Sequence, residues 1–311
     1  MSSDADPAIE IRRATHDDYE AVADFTSDIW PERGGDYIPR IYHDWLEDEH
    51  RQGKKTFLAE VDGDAAGIVQ GVMLSEDEAW FQGMRVAADH RRQGISSRLN
   101  EATFEWAREQ GATVGRVMIF SWNADSLGAA RSSGYEPITE FRFAHRGPDA
   151  AASGPSRVSN DPIAAWRYWT HSNARAHLTG LGLAPEESWA VRELTGDDFE
   201  RLGEKTAVFA VERDDGLAGV GYRTRTVERP ADETESGEPE TWAEYGLGAW
   251  DDVDAARSLF AAVARDAAAL EADATRIAIP ETARFVTDAA ATGAAIAEEP
   301  DIVLGIDLTT Y

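Results

Sequence analysis

The chain has no cysteine. Disulfides, thiolate metal sites and cysteine nucleophiles are therefore excluded. Lysine is nearly missing: Lys54, Lys55 and Lys205 are the only three, and arginine supplies the remaining cations. No apolar run approaches the roughly 20 residues that span a bilayer. The opening Met-Ser-Ser-Asp-Ala-Asp-Pro lacks the apolar core of a secretion signal, so the expected location is cytoplasmic. Neither Gly-x-Gly-x-x-Gly nor Gly-x-x-x-x-Gly-Lys-Ser/Thr occurs, which leaves a nucleotide-binding domain without its usual motif. His171 and His177 stand six apart, which is not the spacing of helical metal ligands, and no metal is expected. Positive charge is scarce, and the formal net charge is −28. Such an excess opposes nucleic acid and anionic membranes as partners. Near-molar salt, with a Debye length of about 3 Å, would screen the self-repulsion. The composition thus fits an extreme halophile, with a merely acidic mesophilic protein as the alternative.

What is present suffices for two modest domains: 311 residues, 42% of them hydrophobic. The chain is organised around Met84–Leu99. An apolar strand, roughly Ala79–Val86, leads into a basic turn and then a helix with Ile95, Leu99, Ala102, Trp106 and Ala107 on one face. The turn Arg91-Arg92-Gln93-Gly94-Ile95-Ser96 offers backbone N–H groups at the positive end of a helix dipole, an arrangement that suits a pyrophosphate. Gly94 permits close backbone approach, small Ser96 leaves room, and two arginines add charge. The plainer reading is a strand–turn–helix with exposed arginines.

Around this centre the sequence reads as an α/β (α+β) chain. Ile9–Arg13 is a short strand. Thr15 caps a helix that runs to about Ile29. Trp30–Pro39 is a turn-rich loop, and a second helix carries Ile41, Trp45 and Leu46. Strands follow at Thr56–Val61, Gly67–Leu74 and Glu78–Val86. After the central helix come a strand at Val114–Ser121, a helix at Asp125–Ser133 and a strand at Ile138–His145. Gly147–Asn160 reads as a linker. Asp161-Pro162 opens a helix with Trp166, Trp169, Asn173 and His177 on one stripe, expected to pack between domains. The expected division is 1–8 flexible, 9–146 a first domain, 147–188 a linker with a connecting helix, and 189–311 a second domain.

The second domain repeats the first. Ile11–Val22 aligns with Val191–Leu202, sharing Arg, Thr, Asp-Asp and Glu at equivalent places. Where the first copy has Arg91-Arg92-Gln93-Gly94, the second has Asp251-Asp252-Val253-Asp254. Carboxylates at a helix start stabilise the helix but repel a pyrophosphate, so the second copy is expected to be structural. Glu228–Glu240 reads as an acidic, solvated loop.

The first copy resembles the GNAT N-acetyltransferases. Their acetyl-CoA signature, Arg/Gln-x-x-Gly-x-Gly/Ala after a strand ending in Val, is filled by Arg91, Gly94 and Ser96 behind Val86, with Ser in place of Gly or Ala. Asn123 and Gly134-Tyr135 match the family's later elements. The resemblance implies two tandem GNAT folds, each a mixed, mostly antiparallel sheet flanked by helices. It implies an acetyl-CoA-dependent N-acetyltransferase working by direct attack of an amine. Met84, Arg85 and Val86 would contact the pantetheine and acetyl group, Arg91, Arg92, Gln93, Gly94, Ile95 and Ser96 the pyrophosphate, and Asn123 the pantetheine arm. The family's acid, a Tyr, is replaced by Ala130, so water or Ser126 is expected to protonate the thiolate. Glu78 is the expected base, and Tyr135 is expected in the core. Trp30, Asp36, Tyr37 and Trp80 would line the acceptor site. Segments Asp36–Leu46 and Gln82–Ala87 resemble histidine N-acetyltransferase-like GNATs, which points to a small-molecule amine, free amino acids included. The other readings are a non-catalytic acyl-CoA-binding regulator and a protein N-terminal or lysine acetyltransferase. The chain is expected as a monomer or homodimer.

Overall fold

A computed structural model describes residues 8–27, 29–30, 35–47, 53–231 and 237–310. The expected flexible N-terminus, except for Ala8, the middle of the Trp30–Pro39 loop and the centre of the acidic Glu228–Glu240 excursion lie outside these residues. The chain folds into two units. The first comprises residues 1–117, 125–136 and 304–311, and the second 118–124 and 137–303.

The first unit begins with β1 (Ile9–Arg13), a 3-10 turn at His16–Asp18 and α1 (Tyr19–Thr26). Thr15 supports this start: its N–H donates to Asp18 Oδ2 at 2.7 Å, and Arg12 grips the same carboxylate at 2.8 and 2.6 Å. That grip, with Thr15 adding to it against a partial burial cost, holds the Asp18 carboxyl down at about 2. The sequence repeat carries this device with it. Thr195 N–H donates to Asp198 at 2.8 Å, and Arg192 pairs with Asp198 at 2.9 and 2.5 Å. The expected helix from Thr15 to Ile29 is thus a 3-10 turn followed by a shorter α1.

α2 (Ile38–Leu46) follows, with Ile38, Tyr42, Trp45 and Leu46 buried on one face. Together with Val22 of α1 they cover Leu58 of β2 (Lys54–Val61) and Ile68 of β3 (Asp64–Met73). Leu58 and Ile68 are fully buried, so cutting either to Ala would cost about 2–5 kcal/mol. β1, β2, β3 and β4 (Glu78–Val86) pair antiparallel in that order. α3 (Ile95–Glu109) packs on the opposite face, where a Cβ at Gly71 would stand 2.5 Å from the Trp106 ring. β5 (Val114–Phe120) then joins β4 in parallel, and α4 (Ala124–Ser132) follows. Tyr135 is buried against Phe104, in the core as expected.

The second unit contains β6 (Glu136–His145), β7 (Arg157–Ser159), α5 (Pro162–His171), α6 (Asn173–His177) and β8 (Leu181–Leu183). Next come β9 (Val191–Glu193), α7 (Gly196–Lys205), β10 (Ala207–Arg213), β11 (Gly216–Arg229) and β12 (Glu240–Trp250). It ends with α8 (Val253–Ala269), β13 (Ala274–Pro280), α9 (Ala283–Ala291), β14 (Ala295–Ile296) and β15 (Asp301–Asp307), whose last residues count with the first unit. β10, β11 and β12 pair antiparallel, β12 meets β13 in parallel, and β6 adds antiparallel to β13. Both units are therefore mixed, mostly antiparallel sheets with helices on them. The stripe on α5, expected between domains, instead packs on α7, β10 and β11 within the second unit. Trp169 is fully buried, and Trp166 lies against Phe199.

Asp301 is a buried acid of this unit. It is 5% exposed, and burial pushes its carboxyl up to about 7, against the pull of Arg276 and Arg142. An unfolded Asp releases its proton near 3.8, so folding takes up a proton between those values. Stability contributed by this site must fall as pH rises through that window and stay low above it. Asp301→Asn is expected to raise the melting temperature at pH 8 and leave it little changed at pH 4. Equal shifts at both pH values would remove the titration as the cause.

Candidate functional site

β4 and β5 pair only at Glu78–Val114, Ala79–Gly115 and Trp80–Arg116. Beyond Trp80 no strand among the described residues pairs with this edge of β4, so on the side away from β3 the stretch Gly83–Val86 has no ladder among them. Backbone groups there must find partners. A β-bulge sits beside the opening: the β3–β4 register shifts between Ile68 and Gln70, opposite Gly83 and Met84. Gly83 has φ +65°, and a Cβ there would fall 2.1 Å from the Trp45 ring. Only glycine fits this backbone against that ring.

The edge runs directly into the basic turn. A 3-10 turn at Ala88–His90 leads to Arg91. Arg92 takes φ +63°, a costly conformation for a non-glycine residue and one that concentrates at ligand sites. Gly94 has φ +84° and precedes α3 with no side-chain cap. The first turn's N–H groups therefore keep their positive pole exposed. A Cβ at Gly94 would meet no atom of the described residues within 4 Å, so the space in front of this helix start is open. Arg91, Arg92, Gln93 and Gly94 are exposed, Ser96 is half-buried and Ile95 is buried in the core.

The second unit builds the same corner and closes it. β12 and β13 also pair over one short stretch, Trp242–Tyr245 with Ala274–Ile277. The gap beyond is filled: Leu178, Leu181, Leu183 and Gly246 enclose a cavity of only about 10 Å³. Tyr222 is fully buried there, donating to the Leu183 carbonyl at 2.9 Å. At the helix start, Asp252 is the N-cap of α8 and accepts from the N–H groups of Asp254 and Ala255 at 3.0 Å. Aligned on helix starts, Gly94 thus corresponds to Asp252. The corner already carries its own anion, which Arg213 neutralises at 2.7 Å.

The residues expected for the acceptor side are placed as follows. Arg85 contributes backbone to the open edge, but its guanidinium is buried and pairs with Asp36 at 2.5 and 3.2 Å. It also lies over the rings of Trp30 (4.3 Å) and Tyr37 (5.3 Å). Asp36, with its side chain 1% exposed, also accepts from Ile38 N–H at 3.0 Å. Asp36 and Arg85 thus hold the start of α2 on β4, and Trp30 and Tyr37 stack on that anchor. Trp80 is buried at the last paired position. Glu78 is buried too and pairs with Arg116 at 2.8 Å where the two strands join, so its carboxylate serves that join. Met84 and Val86 are half-buried on the open edge. Ser126 is half-buried on α4, and Asn123, in the turn after β5, belongs to the second unit.

A buried amide network is not legible from the chain's spacing or composition. Gln70, fully buried on β3, donates through Nε2 to the Trp45 carbonyl at 3.2 Å and to Thr56 Oγ1 at 2.9 Å. Its Oε1 accepts from Gln82 Nε2 at 2.8 Å. Each buried amide left unsatisfied would cost about 1–3 kcal/mol. The signal that could have found it is Gly83 inside an otherwise regular strand, which marks a bulge.

Among the described residues no cluster of three His, Asp or Glu could hold a metal, and no helix is long and apolar enough to cross a membrane.

The chain is similar to known proteins. The acetyltransferase (GNAT) family model matches residues 19–135. L-methionine sulfoximine/L-methionine sulfone acetyltransferase of Pseudomonas aeruginosa is 33% identical over 126 residues, 38% of this chain and 70% of that protein. Histidine N-acetyltransferase of Xenopus tropicalis is 26% identical over 162 residues, 51% of this chain and 47% of that one. The crystal structure of a GCN5-related N-acetyltransferase from Sphaerobacter thermophilus superposes with a TM-score of 0.61 at 12% identity, covering 96% of each chain.

Proposed function

The chain belongs to the acetyltransferase (GNAT) family, an acetyl-CoA-dependent N-acetyltransferase family, and on that premise we propose that it acetylates the primary amine of a small molecule of the free amino acid class. The observation that carries this reading is the open edge of β4 running into the uncapped start of α3. The edge suits an extended pantetheine arm and the helix start a pyrophosphate. Arg91–Ser96 would hold the phosphates, and the backbone at Met84–Val86 the thioester end. Acetyl-CoA supplies an activated acyl group. The chain's part is to hold it, to polarise its carbonyl with β4 N–H groups as an oxyanion hole does, and to align a neutral amine. With Glu78 engaged by Arg116, the ammonium proton is passed to water. The thiolate takes its proton from water or from Ser126. Two relatives named as acetyltransferases of methionine sulfoximine and of histidine support an amino acid acceptor.

The domain extending from residue 189, in this reading, binds no coenzyme. Its helix start is capped by Asp252 and its strand gap is filled. The net charge of −28 supports a salt-rich cytoplasm as the working environment. The test is thiol release from acetyl-CoA with a panel of amines and amino acids at molar KCl, alongside calorimetry. One coenzyme site per chain and turnover with amino acids are expected. A second site, or release that no amine stimulates, would overturn the reading.

A further inference from the structure

Two charged groups of the second unit are buried without complete partners. Arg276, on β13, donates to Glu244 of β12 through Nε at 2.8 Å and through Nη2. Its third nitrogen, Nη1, has no hydrogen-bond partner among the described residues and is not sealed from solvent. Asp301, on β15, accepts no hydrogen bond among the described residues and is not sealed either. Each residue is only 5% exposed. Buried polar groups are normally paired, and an exception asks for a cause. Asp301 feels the charge of Arg276, yet the two form no ion pair. A gap therefore separates a guanidinium from a carboxyl group.

The surrounding charges leave both groups available. Glu244 also faces Arg225, whose Nε lies 3.7 Å away, so two cations share one buried carboxylate. Arg142, the other arginine that acts on Asp301, is taken by Glu281 at 2.6 and 2.8 Å. Burial holds the Asp301 carboxyl up at about 7, and a cation set against it would favour the charged form. An aromatic side chain stands over the gap's positive side. Trp189 lies over the Arg276 guanidinium at 4.2 Å and meets Phe143 edge-on at 5.7 Å. It is 37% exposed, where Ile163 is the other large apolar side chain so exposed among the described residues. Its φ of +60° is costly for a bulky residue and of the kind that concentrates at ligand sites. Arg276, Asp301, Trp189 and Phe143 all belong to the second unit.

Going beyond acetyl transfer and without resting on it, we propose that the second unit binds a free α-amino acid with an apolar or aromatic side chain, Arg276 Nη1 donating to its carboxylate, Asp301 accepting from its ammonium group and Trp189 packing on its side chain. The zwitterion carries opposite charges one carbon apart, so it satisfies both buried groups at once. A simple anion would leave Asp301 without a cation, and a simple amine would leave Nη1 unpaired. Arginine suits the carboxylate because its donors are planar and fixed, and bonds between charged groups in a site largely closed to water are strong. An apolar wall with a few convergent polar groups is the usual make-up of a small-molecule site.

The test is calorimetry on the full-length protein without acetyl-CoA, with L-phenylalanine as the probe. One bound molecule per chain is expected. L-phenylalaninamide, which lacks the carboxylate, and 3-phenylpropanoate, which lacks the ammonium group, are each expected to bind at least tenfold more weakly. Arg276→Lys keeps a cation for Glu244 and loses the third nitrogen, so it is expected to weaken L-phenylalanine at least tenfold. Asp301→Asn and Trp189→Ala leave the Arg276–Glu244 pair intact and are each expected to weaken it at least fivefold, with an unchanged circular dichroism spectrum. No binding by the wild type, or equal affinity for the three probes, overturns the proposal. Binding that survives in folded Asp301→Asn and Trp189→Ala puts the amino acid elsewhere in the chain and also overturns it. With no acetyl-CoA present, each of these results leaves the acetyltransferase reading standing, and thiol release tests that reading separately.

Discussion

Gly94→Val is expected to abolish acetyl-CoA binding, lowering affinity by at least a hundredfold, while the protein stays folded. Two effects combine. Gly94 has φ +84°, which a β-branched residue adopts at a cost of about 1–2 kcal/mol. The new side chain would also stand in the open space before α3, where no atom of the described residues lies within 4 Å. That is where a pyrophosphate must reach the free N–H groups. A hundredfold loss is about 2.7 kcal/mol, modest beside the removal of several charge-assisted hydrogen bonds. Calorimetry against acetyl-CoA, with circular dichroism to check folding, decides the matter. A folded variant with wild-type affinity would show that the phosphates bind elsewhere.

Arg85→Ala is expected to be among the most destabilising single substitutions in the first unit. It would leave Asp36, whose side chain is 1% exposed, buried without its cation. Breaking a buried pair from one side costs about 3–5 kcal/mol. The rings of Trp30 and Tyr37 would lose their shared guanidinium as well. The double variant Arg85→Met with Asp36→Leu removes both charges and is expected to be more stable than Arg85→Ala alone, despite carrying two changes. Melting curves of the three proteins give the answer. A double variant as unstable as the single one would mean that packing, and not the unpaired carboxylate, sets the cost.

These two sites differ in how far the sequence reveals them. The turn at Arg91–Ser96 is local: strand, glycine and helix start adjoin in the chain, and their spacing alone suggests an anion site. The repeat of Arg12, Thr15 and Asp18 at Arg192, Thr195 and Asp198 is equally local, and both copies make the same pairings. Arg85 and Asp36 are 49 residues apart, and nothing in composition or periodicity couples them. Arg85 therefore reads as part of the coenzyme strand and Asp36 as a lining residue of the acceptor site. Glu78 reads as a base because its partner, Arg116, stands on another strand. Gln70 looks like a polar residue at a strand position without a purpose, since its role depends on Trp45 and Gln82 arriving from two other elements. The filling of the second corner is also hidden. It depends on Leu181 and Leu183, which precede the repeat and have no counterpart in the first copy.

The first unit includes residues 304–311, and Leu308 N–H donates to the Thr113 carbonyl at 2.9 Å. This contact bears on biosynthesis. Chains emerge from the ribosome at about 5–20 residues per second, so Thr113 waits roughly 10–40 s for its partner. During that interval β5 has an open flank, the kind of exposed strand edge that recruits other chains. Nascent chains of this protein should therefore depend on being shielded by chaperones until the intervening residues have been made. A gene fragment stopped after residue 146 would carry that open flank permanently.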